Sequence, residues 1–457
     1  MITQLRAKCF KSWQDTGKIG IAPLTGFFGT NSSGKTAILQ LLLMLKQTVE
    51  AVDRQRVLET RGAYVDLGTF ADILHNHQIP GNLYVSVAWN LPTVLEIPDL
   101  DSETDRTLFS IPALRFANTI QGSADSISVE EFAYSFNLDS SNYEFGMRRK
   151  NEGDRNTDPS SQNHSEYDLI NSGYSLKRNR GRAGSLTPPL KCYRFPDRVN
   201  SYYQNASFLS DFVLAFEELF ESIYYLGPLR DDPRRRYLWA GEKPQDVGQR
   251  GELAIPALLA SRSLSQSNLV EEKVAQALRH LGLISEFNIQ AIAENRKDYE
   301  VRVRLGSNSS EVSIADVGFG VSQILPVLVL CYYVPEGSTI ILEQPEIHLH
   351  PSAQTALADI FIDTMKSRNV QIILESHSEH LLRRLQRRVA EEQLGDRDAA
   401  LYFCQTSDRG RSEIVALELD PYGNINNWPD GFFGDELGEL AAMTEAGMRR
   451  QIQERGS

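Results

Sequence analysis

Eight residues near the start of the chain, GTNSSGKT from Gly29 to Thr36, bring together the groups that hold a phosphate chain. Gly29 and Gly34 let the backbone curl so that its N–H groups converge on an anion with no side chain in the way. Lys35 would neutralise terminal phosphates, and the Thr36 hydroxyl would be an oxygen ligand to a magnesium ion. The set expected to bind the cofactor is therefore Gly29, Asn31, Ser32, Ser33, Gly34, Lys35, Thr36 and Ala37. Three later stretches are candidates for the rest of the chemistry. ADVGFGVSQILPVLVLCYY places Gly318 and Gly320 before an apolar helix, with Pro326 read as lying near its first turn. TIILEQPEIHLHP ends a buried strand in Glu343, Gln344 and Glu346, and VQIILESHSEH ends a similar strand in a polar residue and His377. His348 and His350 stand two apart, but a metal site there lacks third and fourth ligands, so loop histidines are the expectation.

These residues need elements to carry them. Leu24 to Phe28 reads as a short buried strand and Ala37 to Leu45 as a helix apolar on nearly every face, giving strand, loop, helix around the glycines. Thr3 to Phe10, Tyr84 to Trp89, Ala113 to Ala117, Phe132 to Phe136 and Tyr299 to Leu305 read as strands. Phe208 to Tyr225 reads as an amphipathic helix running into a strand, and Asn268 to Leu283 as a helix with Leu269, Val274, Leu278 and Leu281 on one face. Met147 to Leu190 is rich in Arg, Asn, Ser, Asp and Gly, the composition of a flexible insertion or exposed hairpin. After Arg388 come two strands (Leu401 to Gln405, Glu413 to Asp420), a loop and a final helix.

At 457 residues the chain exceeds what one core usually supports, which is roughly 250 to 300 residues. Four scattered cysteines suggest neither a disulfide framework nor a zinc site, and a reducing compartment fits. No targeting segment or run able to span a bilayer shows, so a cytoplasmic protein without a membrane partner is expected. A net charge of −13 argues against a surface basic throughout. Local arginines at 230, 234 to 236, 383, 384, 387 and 388, and the Lys177 to Arg182 run, remain candidates for a nucleic-acid backbone, against the ordinary reading of solvated faces.

The order of phosphate loop, long inserted region, glycine loop, acidic strand and His strand resembles ATP-binding-cassette ATPases of the SMC, RecF and OLD type. LEQPEIHLHP, ESHSEHLLRRLQRR and NINNWPDGFFGDELGE further resemble a bacterial ATPase family with a C-terminal domain of unknown function, common among phage-defence genes. The resemblance implies an α/β fold: a P-loop ATPase head of mixed sheet and flanking helices, an inserted α+β lobe and a small C-terminal extension. The expected divisions are 1–90 and 306–395 for the head, 91–305 for the insertion and 396–457 for the extension. By motif position Glu343 would hold magnesium through a water, His377 would contact the terminal phosphate, and Gly318 and Gly320 would reach the nucleotide of a second copy. ATP, Mg2+ and a homodimer, or a higher oligomer of dimers, follow from that resemblance. So does a separately encoded effector, such as a nuclease, in antiphage defence or DNA maintenance. Two positions depart from the pattern. The usual Asp–Glu pair is Glu343–Gln344 here, and glutamine cannot take a proton from attacking water, so slow hydrolysis is expected unless Glu346 serves as base. Gly318 replaces the usual signature Ser, removing one hydroxyl donor. An OLD-like nuclease on the same chain is the alternative, although the acidic pair Asp99 and Asp101 lies far upstream of where such a C-terminal domain would sit; a DNA-repair ATPase is another.

Overall fold

The computed structural model describes residues 1–99, 106–123, 126–150, 166–179, 186–265, 269–293, 296–429, 442–448 and 450. In chain order the first half gives β1 (Ile2–Phe10), β2 (Trp13–Asp15), β3 (Ile19–Gly20), β4 (Leu24–Gly29), α1 (Lys35–Glu50), α2 (Phe70–Ile73), β5 (Gly81–Pro98), β6 (Thr107–Gly122), β7 (Ile127–Leu138), β8 (Ser141–Arg149) and β9 (Tyr167–Ser172). There follow α3 (Arg198–Tyr202), α4 (Leu209–Glu221), β10 (Ile223–Leu226), β11 (Tyr237–Leu238), α5 (Ala254–Ser265), α6 (Leu269–His280), β12 (Glu286–Ala291), β13 (Asp298–Arg304) and β14 (Val312–Ser313). The last part gives α7 (Phe319–Tyr333), β15 (Thr339–Glu343), α8 (Pro351–Arg368), β16 (Gln371–Glu375), α9 (Glu379–Ala390), β17 (Ala399–Thr406) and β18 (Ser412–Ala416).

A mixed sheet in the order β10-β15-β16-β4-β17-β18 is the centre of the molecule, and its first five strands run parallel. Every residue of β15 and β16 is buried, as strands covered by helices on both faces must be. Strand alternation then divides the sheet between two cores. Ile341, Ile373, Tyr402 and Cys404 pack on the side of α1 and α4. Ile340, Leu342, Ile372 and Leu374 pack among α5 to α9. Each fully buried Ile or Leu contributes about 1.5–3 kcal/mol. A long antiparallel sheet, β2-β1-β5-β6-β7-β8-β9, covers the α1 side, and a small sheet of β11, β13, β12 and β14 flanks α6.

Several expectations change. The boundary drawn at residue 90 falls inside β5, which is bonded to β1 along Ile2 to Lys8. The extension drawn from residue 396 begins within the central sheet, because β17 lies beside β4 and Tyr402 stacks on Phe27 at 5.5 Å. Pro326 sits mid-helix in α7 rather than in its first turn. Its ring packs against Gly251, where an added Cβ would come within 2.4 Å of it, and full burial of α7 on all sides holds the helix despite the lost N–H. Leu269 is 58% exposed, so the apolar face of α6 starts at the partly buried Val270. Within 147–190, β8 and β9 form an antiparallel hairpin; residues 151–165 and 180–185, with part of the basic run, lie outside the described residues. Asp101 and residues 430–441 lie outside them too.

A candidate nucleotide site at the ends of three parallel strands

Strands β15, β16 and β4 end side by side, with β16 between the other two, so the loops after them converge. The β4 loop is the glycine turn. Gly29 has φ +136, and a Cβ there would lie 1.9 Å from the Cys404 carbonyl oxygen. Gly34 has φ +91, and a Cβ there would lie 2.5 Å from Ser412 Oγ and 2.8 Å from Trp13 Nε1. Both positions therefore exclude any larger residue. Trp13 fixes the turn by donating to the Gly34 carbonyl at 3.0 Å. Ser32, at φ +59, and Asn31 are exposed at the tip, whereas Ser33 is fully buried. Ala37 is buried in the first turn of α1. That helix has no side-chain cap and no acid in its first turn, leaving its N–H groups and dipole open to an anion. The residues present fit a polyphosphate.

Lys35 is buried, and its ammonium donates to the carbonyls of Thr30 at 2.7 Å and Gly29 at 3.2 Å. Burial lowers its pKa, with Glu375 opposing. Thr36 donates through Oγ1 to Glu375 Oε2 at 2.7 Å. Glu375 is the last residue of β16 and pairs in register with Glu343, the last residue of β15. Glu343 accepts a 2.9 Å hydrogen bond from the Tyr225 hydroxyl. Burial raises its pKa to about 7, a direction that Glu375 reinforces and the Tyr225 bond opposes. Glu375 is raised as well, by burial first, with Thr36 and Lys35 pulling the other way. Two carboxylates, a hydroxyl and phosphate oxygens are the hard donors that magnesium takes.

His377 lies in the same loop cluster. Burial and then Lys35 lower its pKa, with the Gly29 backbone opposing. Glu346, the other candidate base, accepts through Oε1 from Ser376 Oγ at 2.7 Å and from the His377 N–H at 2.8 Å, which holds the His loop in place, while its buried Oε2 has no hydrogen-bond partner among the described residues. Gln344 has φ +44; its N–H donates to the Glu375 carbonyl at 2.9 Å, and its own carbonyl accepts from Arg230 Nη2 at 3.3 Å. Arg230 is 6% exposed, with burial lowering its pKa to about 10, so it belongs to this site and not to a nucleic-acid surface. The sequence alone groups Arg230 with the other arginines and gives Glu375 no role; the burial of Arg230 against the Gln344 carbonyl and the register of Glu375 beside Glu343 place them here.

Gly318 and Gly320 stand at the start of α7, where a Cβ on Gly320 would lie 3.4 Å from the His348 carbonyl oxygen. No hydrogen bond joins them to Gly29–Thr36 among the described residues. A Cβ on Gly318 would meet nothing within 4 Å, and Phe319 is 64% exposed, its ring 6.1 Å from that of His348. His350 caps α8 through Ser352, and among the described residues no group of three or more His, Cys, Asp or Glu is placed to hold a metal. The remaining arginines already have acidic partners: Arg234 with Asp231, Arg235 with Asp316, Arg383 with Glu379, Arg384 and Arg388 with Asp359, and Arg387 with Glu391. Arg236 is exposed. Among the described residues no helix is long and apolar enough to cross a membrane.

A glycine loop opening a helix beside a central parallel sheet, with acids and a histidine at neighbouring strand ends, defines an α/β P-loop ATPase fold. The chain belongs to the family described as "AAA domain, putative AbiEii toxin, Type IV TA system", whose profile matches residues 24–383. Residues 394–443 match "Protein of unknown function (DUF3696)". No curated protein matches the chain. Similar solved structures include an Smc head bound to the C-winged helix domain of ScpA, at 11% identity over 92% of this chain and 98% of that one, TM-score 0.44. The SMC head domain of Thermotoga maritima is 12% identical over 91% and 99%, TM-score 0.41. The Smc head with an extended coiled coil bound to the C-terminal domain of ScpA derived from Pyrococcus furiosus is 10% identical over 91% and 96%, TM-score 0.43.

Proposed function

We propose that this chain is an ATP- and magnesium-dependent ATPase that dimerises around nucleotide and turns over slowly, serving as a switch for a separately encoded effector in bacterial antiphage defence. The observation that carries the reading is the convergence of the Gly29–Thr36 turn, Glu343, Glu375 and His377 on one end of the parallel sheet. The loop N–H groups and Lys35 would hold the triphosphate, and Thr36 and Glu343 the magnesium, which when bound neutralises phosphate charge. His377 would sense the terminal phosphate. Gly318 and Gly320, remote from their own glycine turn in hydrogen bonding, would serve the nucleotide of a second copy. Such a face-to-face pair of identical surfaces closes on itself as a dimer. Gln344 in the base position supports slow turnover, and the family description, naming a toxin of a toxin–antitoxin system, fits an effector-linked role.

Light scattering of the full chain with and without ATP and Mg2+ tests this. The wild type should double in mass with nucleotide and Lys35→Ala should not; an equal response in both would sink the assignment. Co-purification from the native host then identifies the effector.

A further inference from the structure

We propose that the magnesium site uses two protein carboxylates, with Glu375 as the second beside Glu343; the proposal rests on the nucleotide-binding reading above. Motif spacing designates a single acid at the end of β15. In the structure that acid, Glu343, is engaged by the Tyr225 hydroxyl at 2.9 Å. The threonine that would share the ion donates instead to Glu375, at 2.7 Å. Geometry makes the pairing a consequence of the fold. Glu343 and Glu375 are register partners on adjacent parallel strands. Each is two residues beyond a side chain, Ile341 or Ile373, that packs on the α1 side of the sheet, so alternation brings both acids to the face where α1 begins.

Both carboxylates are buried, at 7% and 4% exposure. Like charges this close disfavour each other, and the nearby Lys35 ammonium is occupied by the Gly29 and Thr30 carbonyls. A divalent cation bound through one or two carboxylates plus substrate phosphates is the ligand this donor set suits. Glu346 bonds Ser376 and His377 through Oε1 and leaves its buried Oε2 without a partner among the described residues, but the Thr36 hydroxyl goes to Glu375 and not to it. The plain structural alternative is that Glu375 only tethers Thr36 and the first turn of α1.

The two roles separate by binding of a fluorescent ATP analogue to the full chain, measured in EDTA and across a Mg2+ titration. Glu375→Gln keeps the shape and the acceptor oxygen for Thr36 but loses the charge. If Glu375 serves the ion, the variant needs about 10- to 100-fold more Mg2+ to reach half of the metal-linked gain in affinity, with a much smaller change in EDTA. Glu375→Asp, which keeps the charge, recovers part of the gain, and Mn2+ bound with nucleotide loses its paramagnetic-resonance signature in the Gln variant only. A Mg2+ titration superimposable on wild type, or equal weakening in EDTA and in Mg2+, assigns Glu375 to tethering and overturns the proposal. Wild-type protein that binds no nucleotide in either condition overturns the nucleotide reading itself, a result distinguishable from the others.

Discussion

Gln344 differs from glutamate by an amide nitrogen in place of a carboxylate oxygen, and under the proposed ATPase reading that exchange removes the proton acceptor expected there. Its backbone is fixed independently of the side chain, by the Glu375 carbonyl on one side and Arg230 on the other. Gln344→Glu should therefore leave the turn intact and raise steady-state ATP hydrolysis by about 100-fold or more, within the roughly 10²–10⁴ span of general-base contributions. Wild-type hydrolysis already brisk and unchanged in the variant would assign the base elsewhere. Glu343 makes a second prediction. Its folded pKa of about 7 lies above the ordinary 4.5 because burial disfavours the charge. The folded state thus keeps a proton that the unfolded chain gives up, and stability falls as pH rises from about 4.5 to about 7, then levels. The loss from this group is on the order of 3 kcal/mol, at about 1.36 kcal/mol per unit. Thermal melts of the nucleotide-free protein should drop between pH 5 and pH 7.5, with a shallower drop in Glu343→Gln; identical slopes would show that Glu343 is ionised throughout.

Helix α1 has both ends secured by residues distant in sequence, its N-terminal end by Trp13 and its far end by Lys191, whose ammonium donates to the carbonyls of Val49 at 2.8 Å and Ala51 at 2.9 Å. A cation there also complements the helix dipole. Lys191→Met retains the buried stem but leaves two carbonyls short of a donor, so the denaturation midpoint should fall by the equivalent of about 1–3 kcal/mol. Nucleotide affinity should hold, because a 16-residue helix puts the change about 24 Å from Lys35; a parallel loss of binding would mean that the two ends are coupled. This contrast marks what sequence can convey. The Gly29–Thr36 turn was legible because its chemistry lies within eight consecutive residues. The strand Tyr84 to Trp89 was legible only as the middle of β5, since its outer parts are held by cross-strand pairing with β6 and lack local pattern. Lys191 at a helix end and Glu375 under Thr36 depend on contacts 140 and 339 residues apart in the chain, beyond any window of periodicity.

On the scale of the whole molecule, the glycine turn of α7 is an end without an evident use in one copy. Gly318 caps the helix without a side-chain bond, an added Cβ there would meet open space, and the adjoining Phe319 is exposed. If this end meets the phosphates of a second copy, a negative charge there should block association while sparing the single chain. Phe319→Glu gives up little beyond its ring contact with His348, so its unfolding free energy should stay within about 0.5 kcal/mol of wild type. The affinity of the monomer for nucleotide should also stay, because Phe319 makes no hydrogen bond to the glycine turn among the described residues. The mass doubling with ATP and Mg2+ should be lost. Mixing then distinguishes a shared site from a merely sticky face. Phe319→Glu keeps its phosphate loop and Lys35→Ala keeps its α7 turn, so one of the two composite sites in a mixed dimer is whole. Native mass spectrometry of the mixture should reveal heterodimers carrying a single nucleotide, while each variant alone remains monomeric. An ATP-induced dimer of Phe319→Glu by itself, or a mixture that yields no heterodimer, would leave each nucleotide site to its own chain.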